Sequence, residues 1–143
     1  MCLSILVYHP QLELEQGTFE GYEYAITKNF IGYRCGYIKL EPDHPWYGIE
    51  ETNNINARVH GGITFSEADL ACNKSGEDNG WWIGFDCAHS GDAVDPSILY
   101  ASYRNLSYEF TLRHETIKTT EYVRENIKQL IMQAQEVQTN QLS

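Results

Sequence analysis

Between Thr120 and Val137 the residues Val123, Ile127, Leu130, Ile131, Ala134 and Val137 recur at helical spacing, while Arg124, Glu125, Lys128 and Gln129 fall on the other side. A helix with one apolar face must lay that face on something, either a sheet or a second copy of itself in a dimer. Thr119 or Thr120 is placed to cap its start, and Glu121 suits the positive end of the helix dipole. The rest of the chain reads as strands, so the expected class is α+β. The expectation is a curved, mainly antiparallel sheet with the C-terminal amphipathic helix packed on one face. One domain spans 1–143, with 138–143 a frayed polar tail.

The strands are expected near 3–8, 22–27, 30–40, 57–65 and 81–87. Cys2 to Tyr8 is a short Leu/Ile/Val run stopped by His9-Pro10, and Tyr22 to Ile26 alternates with period two. Gln11 to Gly21 reads as a polar connection with a short extended piece at Leu12 and Leu14. Phe30 to Leu40 carries Gly32 and Gly36, and glycine inside a strand marks a bulge or a close approach. Trp46-Tyr47 lies in a long loop with Pro42, Pro45 and Gly48, as either a lid or a plug on the core edge. Ser66 to Gly80 suits a hairpin loop, which would set His60 to Thr64 antiparallel to Trp82 to Cys87 and leave room at Gly61 and Gly62 for the tryptophans. Leu106, Tyr108, Phe110 and Leu112 alternate with polar residues and suggest one more extended piece.

A net charge of -10 with only ten Lys and Arg excludes the basic stripe that a nucleic-acid duplex requires. A small anion stays possible, because one arginine with backbone N–H groups holds a phosphate. Cys2, Cys35, Cys72 and Cys87 show no C-x-x-C pairing, and no signal peptide precedes them. Free thiols and a cytoplasmic location are therefore expected. No apolar run is long enough to span a bilayer, so no membrane partner is expected.

Reactive side chains gather in two stretches, VHGGITF (Val59 to Phe65) and WWIGFDCAHSGD (Trp81 to Asp92). His60, His89, Asp86, Cys87 and Asp92 make an adequate donor set for a divalent ion. They fit no standard metal spacing, and strand alternation sends Asp86 and His89 to opposite faces. No metal and no cofactor are therefore expected. Cys87 with either histidine would be a nucleophile and base pair, against inert packing in an apolar strand. Asp86 and Asp92 flanking His89 suit acid–base chemistry, or only local capping of the turn. Trp81, Trp82, Tyr33, Tyr37 and Phe65 offer stacking surfaces, with Arg34 or Arg58 for a phosphate. Alternation places Trp81 and Trp82 on opposite faces, so one of them needs a partner other than the core around Ile83.

GYRCGYIKLEPDHPWYG, VHGGITF, WWIGFDCAHSGD and the helix EYVRENIKQL together resemble a family of small, mostly uncharacterised proteins of phages, prophages and some bacteria. The resemblance covers about Tyr33 to Leu130. The N-terminal thirty residues and an insertion near Arg104 to Thr116 depart from it. In outline, a sheet followed by a C-terminal helix is similar to phage anti-defence sponges that sequester nucleotide signals. That likeness implies a nucleotide-like ligand, a homodimer or higher homo-oligomer, and the host cytoplasm if the protein is phage-encoded.

The first expectation of function is thus binding or sequestration of a small nucleotide-like ligand. His60, Gly61, Gly62, Thr64, Trp81, Trp82, Asp86, His89 and Asp92 would line the site, with Arg34 or Arg58 on phosphate and the Trp46 loop closing over it. The second is a small hydrolase with His89 as base, oriented by Asp86 or Asp92, and His60 stabilising developing charge. A protein-interaction module is the third.

Overall fold

The computed structural model of the chain describes residues 2–69, 80–89, 91–98 and 116–142. Helix α1 (Ser4–Tyr8) is followed by strands β1 (Glu13–Phe19), β2 (Tyr22–Lys28), β3 (Arg34–Leu40), β4 (Phe65–Ala68) and β5 (Trp81–Asp86). The two-residue strands β6 (Asp92–Ala93) and β7 (Thr116–Ile117) come next, then helix α2 (Thr120–Leu142). The main sheet has five strands in the order β1-β2-β3-β5-β4, with every pair antiparallel. β6 and β7 pair in parallel, apart from it. The fold is α+β, an open antiparallel sheet with one long C-terminal helix.

Strand β5 divides the core. Trp81, Ile83 and Phe85 join Ile26, Ile38 and Leu40 on the face beneath α2, where Val123, Ile127, Leu130, Ile131 and Ala134 are fully buried. Trp82 points to the other face, and Leu3, Leu6, Leu12 and Ala25 enclose it. Period-two alternation thus gives each indole its own apolar layer. A buried Leu- or Ile-sized side chain contributes about 1.5–3 kcal/mol, so the α2 stripe is a major part of what holds the fold. Gly36 is the close approach on that face: a methyl group there would stand 2.7 Å from the Phe85 ring and 3.1 Å from Ile127 Cδ1.

Several expected elements differ. The strand expected over 3–8 is replaced by α1 from Ser4 onward with Leu3 as its N-cap, an arrangement that lets Leu3 and Leu6, three residues apart, both cover Trp82 while a single extended strand would turn them to opposite faces. The expected connection at 11–21 contains β1, an edge strand paired with β2 through a two-residue turn at Glu20-Gly21, both with positive φ (51° and 82°). β3 begins at Arg34, since Asn29 Oδ1 accepts the N–H groups of Ile31, Gly32 and Tyr33 and folds them into a turn. The strand expected over 57–65 starts only at Phe65, and residues 57–64 run as a loop.

Cys2 is disulfide-bonded, whereas Cys35 and Cys87 are free. Sequence spacing carries no information about which cysteines meet in space, and the thiol argument for a reducing compartment does not stand. Cys72, the tip of the 66–80 loop, the extended piece at 106–112 and most of the insertion near 104–116 lie outside the described residues. Among the described residues no helix is long and apolar enough to cross a membrane.

Three segments meet at Arg34. Its guanidinium pairs with Asp95 Oδ2 at 2.8 Å, nearly out of water, and donates to the Lys118 carbonyl (3.0 Å) and to Thr120 Oγ1 (3.0 Å) in half-buried surroundings. The expected phosphate ligand is therefore a structural cation. Burial alone would raise the Asp95 carboxyl, but Ser97 and Arg34 outweigh it and hold the group below the usual carboxylate range. Arg34→Ala strands a buried carboxylate and is expected to cost about 3–5 kcal/mol in urea unfolding. A loss under about 1 kcal/mol would show the junction to be dispensable. A depressed carboxyl stabilises the fold above its unfolded value near about 3.9 and loses that contribution as pH falls through the lower folded value. Asp95→Asn should accordingly flatten the loss of stability below about pH 4.

Candidate functional site

Past Asp86 the chain does not continue as a strand. Asp86 Oδ1 accepts the Ala88 N–H (3.1 Å), the Cys87 N–H goes to the Arg34 carbonyl (2.8 Å), and the Asp92 N–H goes to the His89 carbonyl (2.9 Å). Asp92 Oδ2 in turn accepts the His89 N–H at 3.0 Å. This turn curls His89 back, so that its Nδ1 lies 3.3 Å from Asp86 Oδ1 and 3.8 Å from Asp92 Oδ2. Alternation, which set Asp86 and His89 apart in the sequence reading, stops applying where the ladder ends.

His60 arrives from the 57–64 loop, which lies along α2. The Gln133 side chain bonds both the N–H and the carbonyl of Arg58 (2.7 Å each), and Asn126 Oδ1 accepts the His60 N–H at 3.1 Å. Two polar positions one heptad apart on the helix thus supply the loop with the backbone partners a strand would have given it. The His60 ring is then fixed at both nitrogens: Nε2 lies 2.8 Å from Asp92 Oδ2, and Nδ1 lies 2.8 Å from the Tyr122 hydroxyl.

Asp92 is the anchor. Its side chain is 1% exposed, and Lys118 Nζ stands 3.4 Å from its other oxygen. Burial pushes its carboxyl up, yet hydrogen bonds from His60, the His89 N–H and Lys118 prevail and keep it below the usual range. An ionised carboxylate only accepts, so His60 Nε2 carries a proton, and in the neutral ring Nδ1 accepts from the Tyr122 hydroxyl. The His60 and His89 rings stand with centroids 6.1 Å apart. Gly61 makes that approach possible: its φ is +70°, and a methyl group on it would collide with the His89 ring.

His89 and Asp86 open onto a groove of about 540 Å³ on the α1 face of the sheet, lined also by Thr64, Tyr37, Phe65 and Cys35. Thr64 Oγ1 donates to Asp86 Oδ2 at 3.0 Å, and Tyr37 meets Phe65 edge to face at 5.2 Å. A more apolar cavity of about 440 Å³ beside α1 shares Tyr37 and Phe65 but none of the cluster.

No family profile, curated protein or solved structure matches the chain.

The structure brings together His60, His89, Asp86, Asp92 and Thr64, and it withdraws others. Trp81 and Trp82 are both core residues, not stacking platforms. Gly61 and Gly62 do not make room for them, since Gly61 faces His89 and Gly62 open space. Arg34 is locked at its junction, and Arg58 is exposed two residues before His60. Cys87 is buried in the core, where burial pushes its thiol up to about 12, and Cys35 is raised to about 11, so neither is poised as a nucleophile. Trp46 is a plug rather than a lid, buried beside His44, whose Nε2 donates to the Ala134 carbonyl at 2.8 Å.

Tyr122, Lys118 and Asn126 were not foreseen. Tyr122 had a signal, as an aromatic off the apolar stripe in the first turn of a helix, where solvent-facing residues are ordinarily charged. Gly61→Ala is expected to displace the His89 ring and to cost about 1–2 kcal/mol from the left-handed backbone alone. Histidine ring NMR shifts with urea unfolding read both effects, and an unmoved His89 signal would show that Gly61 does not set the ring's position.

Proposed function

We propose that the protein is a small hydrolase, with the His60–His89–Asp86–Asp92 cluster as its working site and a small polar molecule in the adjoining groove as its substrate. The observation that carries this is the convergence of two imidazoles and two carboxylates from a loop and a strand end, with His89 and Asp86 on the groove wall. Acid–base chemistry needs a proton acceptor that is free to accept and a neighbour that orients it. His60 is the held ring, since both of its nitrogens already have partners, Nε2 in Asp92 and Nδ1 in the Tyr122 hydroxyl. His89 is the base. Its Nδ1 faces Asp86, slightly out of line for a hydrogen bond, and this leaves Nε2 for a water or substrate hydroxyl.

Tyr37 and Phe65 give a planar group an apolar surface, and the Thr64–Asp86 pair gives it polar partners. That groove is also what remains in favour of sequestering a nucleotide-like ligand, now without the two indoles or the Arg34 cation. Incubation with a panel of phosphoesters, carboxylic esters and cyclic nucleotides, followed by heat denaturation and analysis of what is released, separates the two. Hydrolysed product supports the hydrolase, and His89→Ala should lower turnover by about 10²–10⁴-fold while leaving substrate binding nearly intact. Depletion with release of intact ligand would replace hydrolysis by sequestration.

A further inference from the structure

The most informative feature outside that acid–base reading is how close three donor atoms of the cluster stand. One ligand atom each from His60, His89 and Asp92 lies within 4.8 Å of the other two. We infer that these three side chains form a binding site for one divalent transition-metal ion, with zinc the best fit. The inference rests on the cluster being the working site and names the cofactor it would use.

Donors bound to zinc at about 2.0–2.1 Å stand about 3.3 Å apart in a tetrahedron. The 2.8 Å from His60 Nε2 to Asp92 Oδ2 and the 3.8 Å from His89 Nδ1 to the same oxygen bracket that value, and the three donors lie within 4.8 Å of one another. Two imidazoles with one carboxylate are the donor set of sites that keep a fourth position for water or substrate, and they select zinc, iron or cobalt over calcium or magnesium. His89 Nδ1 is buried and makes no hydrogen bond among the described residues. To ligate, it gives up the proton that it holds toward Asp86 Oδ1 when Nε2 is the base, and that proton passes to Nε2. With the ion bound, His89 is a ligand and not the base.

The surroundings also suit an ion. A ligating imidazole ordinarily gives its other N–H to an outer partner, and the Tyr122 hydroxyl is already 2.8 Å from His60 Nδ1. Lys118 is the opposing charge, and it approaches Asp92 at Oδ1 rather than at Oδ2, where both imidazoles meet. Asp86 and Asp92 together leave the cluster net negative beside that one lysine. Cys87, a donor in the sequence-based set, is excluded by its place in the core. When the ion binds, the proton on His60 Nε2 leaves to solvent, and Nδ1 takes up a proton that it donates to Tyr122.

The test uses the full chain, stripped with a chelator and titrated with Zn²⁺ by calorimetry and with Co²⁺ by visible absorption. One ion per chain is expected, with affinity falling by at least about a hundredfold in His60→Ala, His89→Ala and Asp92→Asn, and by about tenfold or more in Tyr122→Phe. Nitrogen-15 NMR of the wild-type histidines guards against variants that fail to fold: zinc should move the His60 proton from Nε2 to Nδ1. No stoichiometric binding, or binding that leaves the His60 tautomer unchanged, overturns the inference. Zinc held by all three side chains without turnover of the substrate panel upholds the ion site and removes the hydrolase, whereas turnover by protein that binds no ion does the reverse.

Discussion

A guanidinium taken out of water at Arg34 constrains the rest of the molecule more than any other contact. It sits at the first residue of β3, and it is satisfied only when the 92–98 segment and the entry to α2 both come to it, through Asp95 on one side and Lys118 and Thr120 on the other. An unpaired buried charge is costly, so these three pieces hold together or separate together. Asp92 lies three residues before Asp95, and Tyr122 two residues after Thr120. The same junction therefore places the carboxylate and the phenol that fix His60.

Around that junction the two faces of the sheet divide the labour. The α2 face is a packed apolar core, and Cys87 belongs to it with its thiol pushed up by burial. The other face is covered by α1 over Trp82 and left open farther along, where Tyr37 and Phe65 border the groove. His89 and Asp86 stand at the end of β5, where the ladder stops and the backbone is free to turn. A site at a strand end has its base anchored by regular structure and its exposed edge in a loop. Here the loop is pinned by Asn126 and Gln133 of the helix.

Much of this was legible in the residues, and what was not has physical causes. The α2 stripe, β2, most of β3 and β5 announced themselves by period, because burial on one face leaves a pattern in the sequence. The opposite orientations of Trp81 and Trp82 followed from alternation, but only the structure identifies α1 as what covers Trp82. A five-residue apolar run has no period to read, and a polar edge strand such as β1 hides its pairing in backbone bonds that any side chain permits. The hairpin reading of 66–80 set the two stretches side by side, but it left open whether His60 and His89 share one site. The turn that joins them depends on the bonds of Asp86 and Asp92 to nearby N–H groups, and those carry no periodic signal. Arg34 misled because a lone arginine in a sequence does not show whether it faces solvent or a buried acid.

Two distant stretches of chain, one carrying the double glycine and the other following the paired tryptophans, meet so that their imidazoles share Asp92. Ring-proton nuclear Overhauser effects on the full chain, with the histidine signals assigned by single substitutions, measure this most directly. The account predicts cross-peaks between the His60 and His89 rings, together with one from His60 to Tyr122. Rings that show effects only to their own sequence neighbours would place the histidines apart and contradict it.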